Sequence, residues 1–353
     1  MKSMTKFLPQ LAVLAAILTS ITASAQFETA AYDHVSWSFS TPNEVIAIGD
    51  VHGDLSSLLT ILEDRKLIDS EARWSGGAKH LVLMGDLIDR GTHSREVMEW
   101  VMQLETQAEA AGGRVHALIG NHEMMVLSGD VRYIDKADQR SYSYLVGDSR
   151  TSKLAKELKI SESQAAIVAA MRYTDKYRDW MLRRNAMIKI NQTIFVHAGL
   201  DAWASRRSFG SINASVREWI RFYQNRIPKE PTHLKWVIDE SGPLWNRGLA
   251  QQVISMEIID RILKQQAASG IVIGHTTTAS GRVERRYSGK VIQLDTGLSK
   301  YYGGQLASIS IKNGSAPRAH HLPQRPKQMH RLVSRIQEQI FEPCESIRQQ
   351  VGY

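Results

Sequence analysis

An α/β fold is predicted by three observations: short apolar runs end in glycine-led polar loops, apolar stripes at helical spacing follow the loops, and this unit occurs three times at similar size. In the first unit, Glu44-Val45-Ile46-Ala47-Ile48 is a mostly apolar run that suits a buried strand and stops at Gly49. Asp50 and His52 sit in the loop at its carboxyl end. Leu55, Leu58, Leu59 and Leu62 follow at spacings of three and four, which predicts a helix packed back over the sheet. In the second unit His80-Leu81-Val82-Leu83-Met84 is the strand, 86–91 the loop and 94–111 the helix, with Val97, Val101 and Leu104 on one stripe. The third strand, Val115-His116-Ala117-Leu118-Ile119, ends on Asn121 and His122. Open α/β sheets bind ligands where loops converge at the carboxyl ends of the strands, so the polar residues of these loops are site candidates.

Glu123 and His197 are 74 positions apart, more than a simple crossover needs. Ser161 and Glu162 are helix start signals, and Ala165, Val168, Ala169 and Met171 follow them, so a helical insert is expected at about 135–190. It is a candidate wall for selecting substrates, which Tyr142, Tyr144 and Tyr173 either line or simply pack within. Val291-Ile292-Gln293-Leu294 reads as a strand before Asp295-Thr296-Gly297, and 306–311 as an edge strand. Composition then shifts to proline and basic residues over 315–327. Met329, Leu332, Val333, Ile336 and Ile340 form a helical stripe that Pro343 is expected to end and that is expected to dock on the parent domain. The resulting plan is a catalytic domain at 26–315 and a C-terminal basic linker and helix at 316–353, with no internal repeats.

Residues 1–25 read as a signal peptide: Lys2 and Lys6 precede an apolar run over 11–21, and Ala23-Ser24-Ala25 suits cleavage before Gln26. The run is shorter than the about 20 apolar residues a bilayer span needs. An exported chain, periplasmic and without a membrane span when mature, is therefore expected. Its single cysteine, Cys344, cannot form an internal disulfide, so stability must come from the core. A monomer is expected. Formal charge is +8, two units lower without Lys2 and Lys6, a balance that helps draw anionic substrates. Basic blocks interleaved with aromatics are missing, so a nucleic-acid partner is not expected.

Five blocks carry the chemistry: Gly49-Asp50-Val51-His52-Gly53, Gly85-Asp86-Leu87-Ile88-Asp89-Arg90-Gly91, Gly120-Asn121-His122-Glu123, His197-Ala198-Gly199-Leu200 and Gly274-His275-Thr276. Together they supply the aspartates, histidines and asparagine from which a site for two divalent metals is built, and point to a dinuclear hydrolase of phosphate esters. Asp50, Asp86 and Asn121 are also common turn and cap residues. That role explains each alone, but not all three at strand ends.

In this order the blocks resemble the phosphoprotein phosphatases, within the calcineurin-like metallophosphoesterases. Leu127-Ser128-Gly129-Asp130-Val131-Arg132-Tyr133 most resembles the Shewanella-like phosphatases. The resemblance covers about 45–311. It implies a β-sandwich of two sheets flanked by helices, with Asp50, His52 and Asp86 on one metal and Asp86, Asn121, His197 and His275 on the other. Asp86 is then the bridge, and a hydroxide shared by ions about 3.5 to 4 Å apart attacks phosphorus directly. Mixed carboxylate, amide and imidazole ligands suit Mn, Fe, Zn or Co. His122 fits the general acid, oriented by Asp89. Arg90, Asn121 and Arg247, the last within Gly242-Pro243-Leu244-Trp245-Asn246-Arg247-Gly248, fit phosphate binding. Glu123 is expected to cap a helix or support His122, Asp295 to be structural, and Tyr301 and Tyr302 to border the site or pack. The expected activity is hydrolysis of phosphomonoesters on a phosphorylated protein or peptide, at phosphotyrosine, phosphoserine or phosphothreonine. The alternatives are a dinucleoside polyphosphate or nucleotide phosphohydrolase and, without chemistry, a phosphate-binding protein.

Overall fold

Strand alternation sets the layers of the molecule. In β2 (Val45–Ile48) every residue is buried, Val45 and Ala47 on one face and Ile46 and Ile48 on the other, so the sheet must be covered on both sides. The computed structural model describes residues 35–312, 315–323 and 329–351. The expected signal peptide, its cleavage point before Gln26 and His34 lie outside the described residues.

The first part of the chain runs β1 (Ser38–Phe39), β2, α1 (Leu55–Asp64), β3 (His80–Leu83), α2 (Ser94–Ala110) and β4 (Arg114–Ala117). Helices α3 (Asn121–Ser128), α4 (Lys136–Ser141), α5 (Asp148–Leu158), α6 (Glu162–Tyr173) and α7 (Asp175–Leu182) follow. Next come β5 (Met187–Ile190), β6 (Thr193–Val196), α8 (Phe209–Tyr223), α9 (Met256–Gln265), β7 (Gly270–Ile273), β8 (Glu284–Arg286) and β9 (Val291–Gln293). The last elements are β10 (Ala307–Ile311), β11 (Arg318–His321) and α10 (Met329–Val351). They form a five-stranded sheet, β11-β10-β2-β3-β4, and a six-stranded sheet, β1-β5-β6-β7-β9-β8. Strands β2, β3 and β4 are mutually parallel, as are β6, β7 and β9.

The sheets face each other across an apolar core: Val45, Ala47, Val82 and Met84 meet Ile188, Phe195, Val272 and Ile292. The outer face of the six-stranded sheet packs Met187, Ile194, Val196 and Ile271 against Phe209 and Ile212 of α8 and Ile259 and Ile262 of α9. On the other side α2 lies over β4. Among the described residues no helix is long and apolar enough to cross a membrane.

The segment at 135–190 holds four helices, and Ser161 starts α6 as its cap with a reciprocal bond to Gln164. Its final residues are strand β5. Two expectations are corrected. Strand β10 is not an edge, because β11 pairs outside it, which draws 318–321 out of the expected linker and into the sheet. Arg318 and Ala319 are exposed, and an edge strand bearing polar and basic side chains lacks the apolar alternation by which strands are read from sequence. Helix α10 also continues through Pro343, since a proline removes one ladder bond and kinks a helix whose other bonds persist. Met329, Leu332, Ile336 and Ile340 are buried where α10 lies on α1 and α2, and Gln337 donates to Glu96 at 3.0 Å.

Asn213 of α8 ties that helix to the start of β5, the strand paired with β6, which precedes the fourth motif. Its Oδ1 accepts the N–H groups of Ala186 (2.9 Å) and Met187 (3.2 Å), and its Nδ2 donates to the Met187 carbonyl at 2.9 Å. The Ala186 carbonyl in turn receives the N–H of His197. Asn213→Ala leaves these buried groups unpaired and is expected to cost about 2–4 kcal/mol in urea unfolding; a loss below about 1 kcal/mol counts against this bracket.

Candidate active site

Every motif loop leaves the carboxyl end of a parallel strand: the first three follow β2, β3 and β4, and His197 and His275 follow β6 and β7. The loops are laced by their backbones. Val51 and His52 donate to the Asp86 carbonyl at 3.1 and 2.8 Å, and Gly53 donates to Leu87 at 2.8 Å. His52, Asp86, Asp89, Arg90 and His275 all have positive φ, between 47° and 71°. A left-handed backbone at a residue with a Cβ costs roughly 1–2 kcal/mol, so something must hold it. At Asp86, Glu123 does so: its carboxylate accepts the N–H groups of Gly120 (2.7 Å), Asp86 (3.1 Å), Leu87 (2.7 Å) and Ile88 (3.3 Å). Gly85, at φ 97°, lets the chain pass so close that a Cβ there would meet the Gly120 nitrogen and His197 Nδ1 at 2.8 Å.

These constraints bring Asp86 into a ring of imidazoles. Its Oδ2 lies 3.8 Å from His52 Nε2 and 3.9 Å from His122 Nε2, and its Oδ1 lies 3.5 Å from His197 Nε2. Two buried donor groups result, His52–Asp86–His122 and Asp86–His197–His275, each with donor atoms within 4.8 Å of one another. His197 Nδ1 donates to the Met84 carbonyl at 2.8 Å, and His52 Nδ1 to that of Ile88 at 3.3 Å. Those bonds fix the tautomer and leave each Nε2 as a lone pair. His197 Nε2 faces Asn121 Oδ1 at 3.0 Å, acceptor to acceptor, and His275 Nε2 is buried with no protein partner. Such a set fits divalent cations. Asp50 stands apart: both its oxygens accept the His275 N–H, at 2.9 and 3.1 Å, and it belongs to neither group.

Burial drives the ionisation of this cluster. It pushes Asp86 up to about 6 and Glu123 up to about 7, and raises Asp50 and Asp295 as well, with the neighbouring carboxylates adding repulsion. It lowers His197 to about 4 and also lowers His52 and His275, which keeps those imidazoles in the neutral form that binds metal.

His122 goes the other way. Burial opposes its charge, but the Asp86 carboxylate and a 2.6 Å hydrogen bond from Nδ1 to Asp89 Oδ2 outweigh burial and raise its pKa. Its Nε2 borders a cleft of about 580 Å³ shared with Arg90, Arg247, Tyr133, Tyr302 and Trp245. The Arg90 guanidinium lies 3.5 Å from the Tyr133 ring centre and donates to the Tyr301 hydroxyl at 3.0 Å. Arg247 donates to the Thr276 hydroxyl at 3.0 Å. A second cavity, of about 640 Å³, opens beside Val45, Asn191 and Ile271 and contains none of these donors.

The cleft thus contains His52, Asp86, Asn121, His122, His275, Arg90 and Arg247 from the sequence expectations, with His197 buried behind it and Asp89 behind His122. Tyr133, Trp245, Thr276 and Thr277 also line it and had no assigned role. Tyr133 and Trp245 stand inside the stretches 127–133 and 242–248 already singled out, which was the available signal. Asp295 lines the cleft too, and its Oδ2 accepts the Thr277 hydroxyl at 2.8 Å.

The family model described as calcineurin-like phosphoesterase matches residues 44–278. An uncharacterised protein of Schizosaccharomyces pombe is 32% identical over 277 residues, 76% of this chain and 77% of its own length. Shewanella-like protein phosphatase 1 of Plasmodium berghei is 26% identical over 275 residues, 76% of this chain and 70% of that one. The solved cold-active protein-tyrosine phosphatase of a psychrophilic Shewanella species superposes with a TM-score of 0.64 at 28% identity, covering 83% of this chain and 84% of that chain.

The raised carboxylates make a pH prediction for cation-free protein. A carboxyl whose folded pKa exceeds its unfolded value contributes stability at low pH that is lost as pH rises through the folded pKa, here about 6 for Asp86 and about 7 for Glu123. Because the unfolded carboxyls titrate at about 4 to 4.5, that loss spans about pH 4 to about pH 7, and the buried neutral histidines act in the opposite sense up to about pH 6.5. The melting temperature of chelator-treated protein is therefore expected to fall between about pH 6.5 and about pH 7.5, and divalent cation to restore it by binding the native state. A melting temperature flat over that range, with or without cation, contradicts this electrostatic picture.

Proposed function

Because this chain belongs to the calcineurin-like phosphoesterase family and is a phosphatase, we propose that it removes phosphate from phosphorylated proteins, with tyrosyl phosphate preferred, using two divalent ions. The observation that carries this reading is the convergence in one cleft of Asp86 with its imidazoles, the His122–Asp89 pair and two guanidiniums. One ion is assigned to Asp50, His52 and Asp86, the other to Asp86, Asn121, His197 and His275. When bound, such ions supply positive charge to the phosphoryl oxygens and bring the pKa of water near neutrality. Mn, Fe, Zn and Co all suit the donor set. Asp50 is the assignment with the least geometric support, because its oxygens hold the His275 N–H; loss of one equivalent of bound metal in Asp50→Asn supports it, and unchanged stoichiometry removes it.

Arg90 and Arg247 bind the phosphate by forked hydrogen bonds, with the Asn121 amide beside them. His122, held by Asp89 and favoured as imidazolium, protonates the leaving oxygen from Nε2. Preference for tyrosyl phosphate is supported by the aromatic wall: the Tyr133 ring is 5.4 Å from His122, Tyr302 is 5.0 Å from His52, and Trp245 is 5.7 Å from His275. The name of the Shewanella neighbour points the same way. In this reading the chain acts as an exported monomer, cleaved between Ala25 and Gln26, which the intact mass of the secreted protein checks.

The deciding assay offers phosphotyrosyl, phosphoseryl and phosphothreonyl peptides beside a dinucleoside polyphosphate. Turnover of the tyrosyl peptide, abolished with metal binding in Asp86→Asn, is expected; turnover confined to the dinucleotide moves the chain to nucleotide hydrolysis. His122→Asn is expected to lose about 10² to 10⁴ in kcat on poor leaving groups and far less on p-nitrophenyl phosphate. Arg247→Ala is expected to raise KM about tenfold, the equivalent of one charge-assisted hydrogen bond, and unchanged kinetics remove it from the site.

A further inference from the structure

Behind the Asp89–His122 pair, on the side away from the cleft, lies a small buried void with a volume of about 10 Å³, room for one water molecule. Four polar residues line it, Asp89, Ser94, Asp138 and Tyr142, each no more than 3% exposed. Two of their atoms, Asp89 Oδ1 and Tyr142 Oη, are buried and have no protein partner. Buried polar atoms in native proteins are paired with protein or with ordered water, and a polar site of this size suits the latter.

Asp138 and Tyr142 come from the helical insert, in α4 and at its C-terminal cap. Asp138 reaches across to the start of α2, whose own capping position, His93, makes no side-chain bond to the helix. Its Oδ2 accepts the Ser94 N–H at 3.1 Å and its Oδ1 the Arg95 N–H at 3.5 Å. The Ser94 side chain also bonds Asp138, and its Oγ accepts the Asp89 N–H at 3.0 Å. The backbone of Asp89 is therefore anchored through Ser94 to a carboxylate of the insert. One Asp89 oxygen holds His122 at 2.6 Å; the other is buried with no protein partner, in a residue that lines the void.

We propose that this void is an internal hydration site, in which one water donates to Asp89 Oδ1 and accepts from the Tyr142 hydroxyl, so that Asp138 and Tyr142 act as positioning residues for the proton donor His122. A carboxylate held at both oxygens keeps a single orientation, and so does the imidazole bonded to it. The insert then governs proton delivery from behind the pair without touching substrate.

The inference rests on His122 acting as the acid, and the test separates the two. The kcat of Tyr142→Phe and Asp138→Asn is measured on p-nitrophenyl, phenyl and alkyl phosphates beside the parent and His122→Asn. Tyr142→Phe keeps the ring and its packing, so it stands in if Asp138→Asn does not fold. Expected is a loss of about tenfold on phenyl and alkyl phosphates, within the range an acid supplies, with p-nitrophenyl phosphate within about twofold and KM unchanged. General loosening of the fold lowers all substrates alike, and a dependence on leaving group identical to the parent's overturns the proposal. If His122→Asn also leaves that dependence unchanged, the acid assignment fails with it; if only His122→Asn changes it, the positioning role alone fails. A high-resolution crystal structure should show one water bonded to Asp89 Oδ1 and Tyr142 Oη, and a dry void overturns the hydration site.

Discussion

One carboxylate holds the site in shape. Glu123 accepts four backbone N–H groups, three of them consecutive along a loop whose residues adopt backbone conformations they ordinarily avoid. Those conformations turn Asp86, Asp89 and Arg90 toward different partners within five residues of chain. Asp86 faces the imidazoles, Asp89 backs His122, and Arg90 stacks on Tyr133. A regular strand or helix spaces side chains by a fixed period and could not distribute neighbours this way.

The chemistry follows from the same compression. Burial makes negative charge costly on Asp50, Asp86 and Asp295 and positive charge costly on the histidines that face them. The cluster is crowded with lone pairs on groups whose ionised forms burial penalises, a condition that cations relieve. His122 escapes it because Asp89 supplies the compensating charge at hydrogen-bond distance. The neutral imidazoles and the one favoured as imidazolium therefore separate by hydrogen-bond partner: backbone carbonyls for His52 and His197, a carboxylate for His122.

Local pattern made much of this legible. Of the expected strands at 44–48, 80–84 and 115–119, residues 45–48, 80–83 and 115–117 lie in strands, and the donors stand just beyond, because glycine-led loops leave little choice of position. Tertiary arrangement was not legible. Nothing near Asp50 in sequence says that its oxygens meet the N–H of His275, since that contact depends on how two sheets dock. Tyr133 and Trp245 stood in stretches already singled out but had no role until the cleft placed them beside histidines. Strand β11 carries no apolar alternation, because its register is imposed by β10 rather than by burial. The reach of Asp138 to the start of α2 belongs to the same class, being a cap donated by another part of the chain.

The donors come from both sheets: β2, β3 and β4 contribute from one, β6 and β7 from the other. A chain with one cysteine cannot close a covalent loop within itself. Asp50 and His275 nevertheless meet although 225 positions separate them, and ions held as proposed bind side chains from that whole span. Such ions are reversible cross-links between the two layers, added to the apolar core and the bonds between Asp50 and His275 and between His197 and Met84. Loop closure over so long a span removes much freedom from the unfolded chain, so the metals would serve the protein as a disulfide serves a smaller one, with the difference that a chelator can undo the bond.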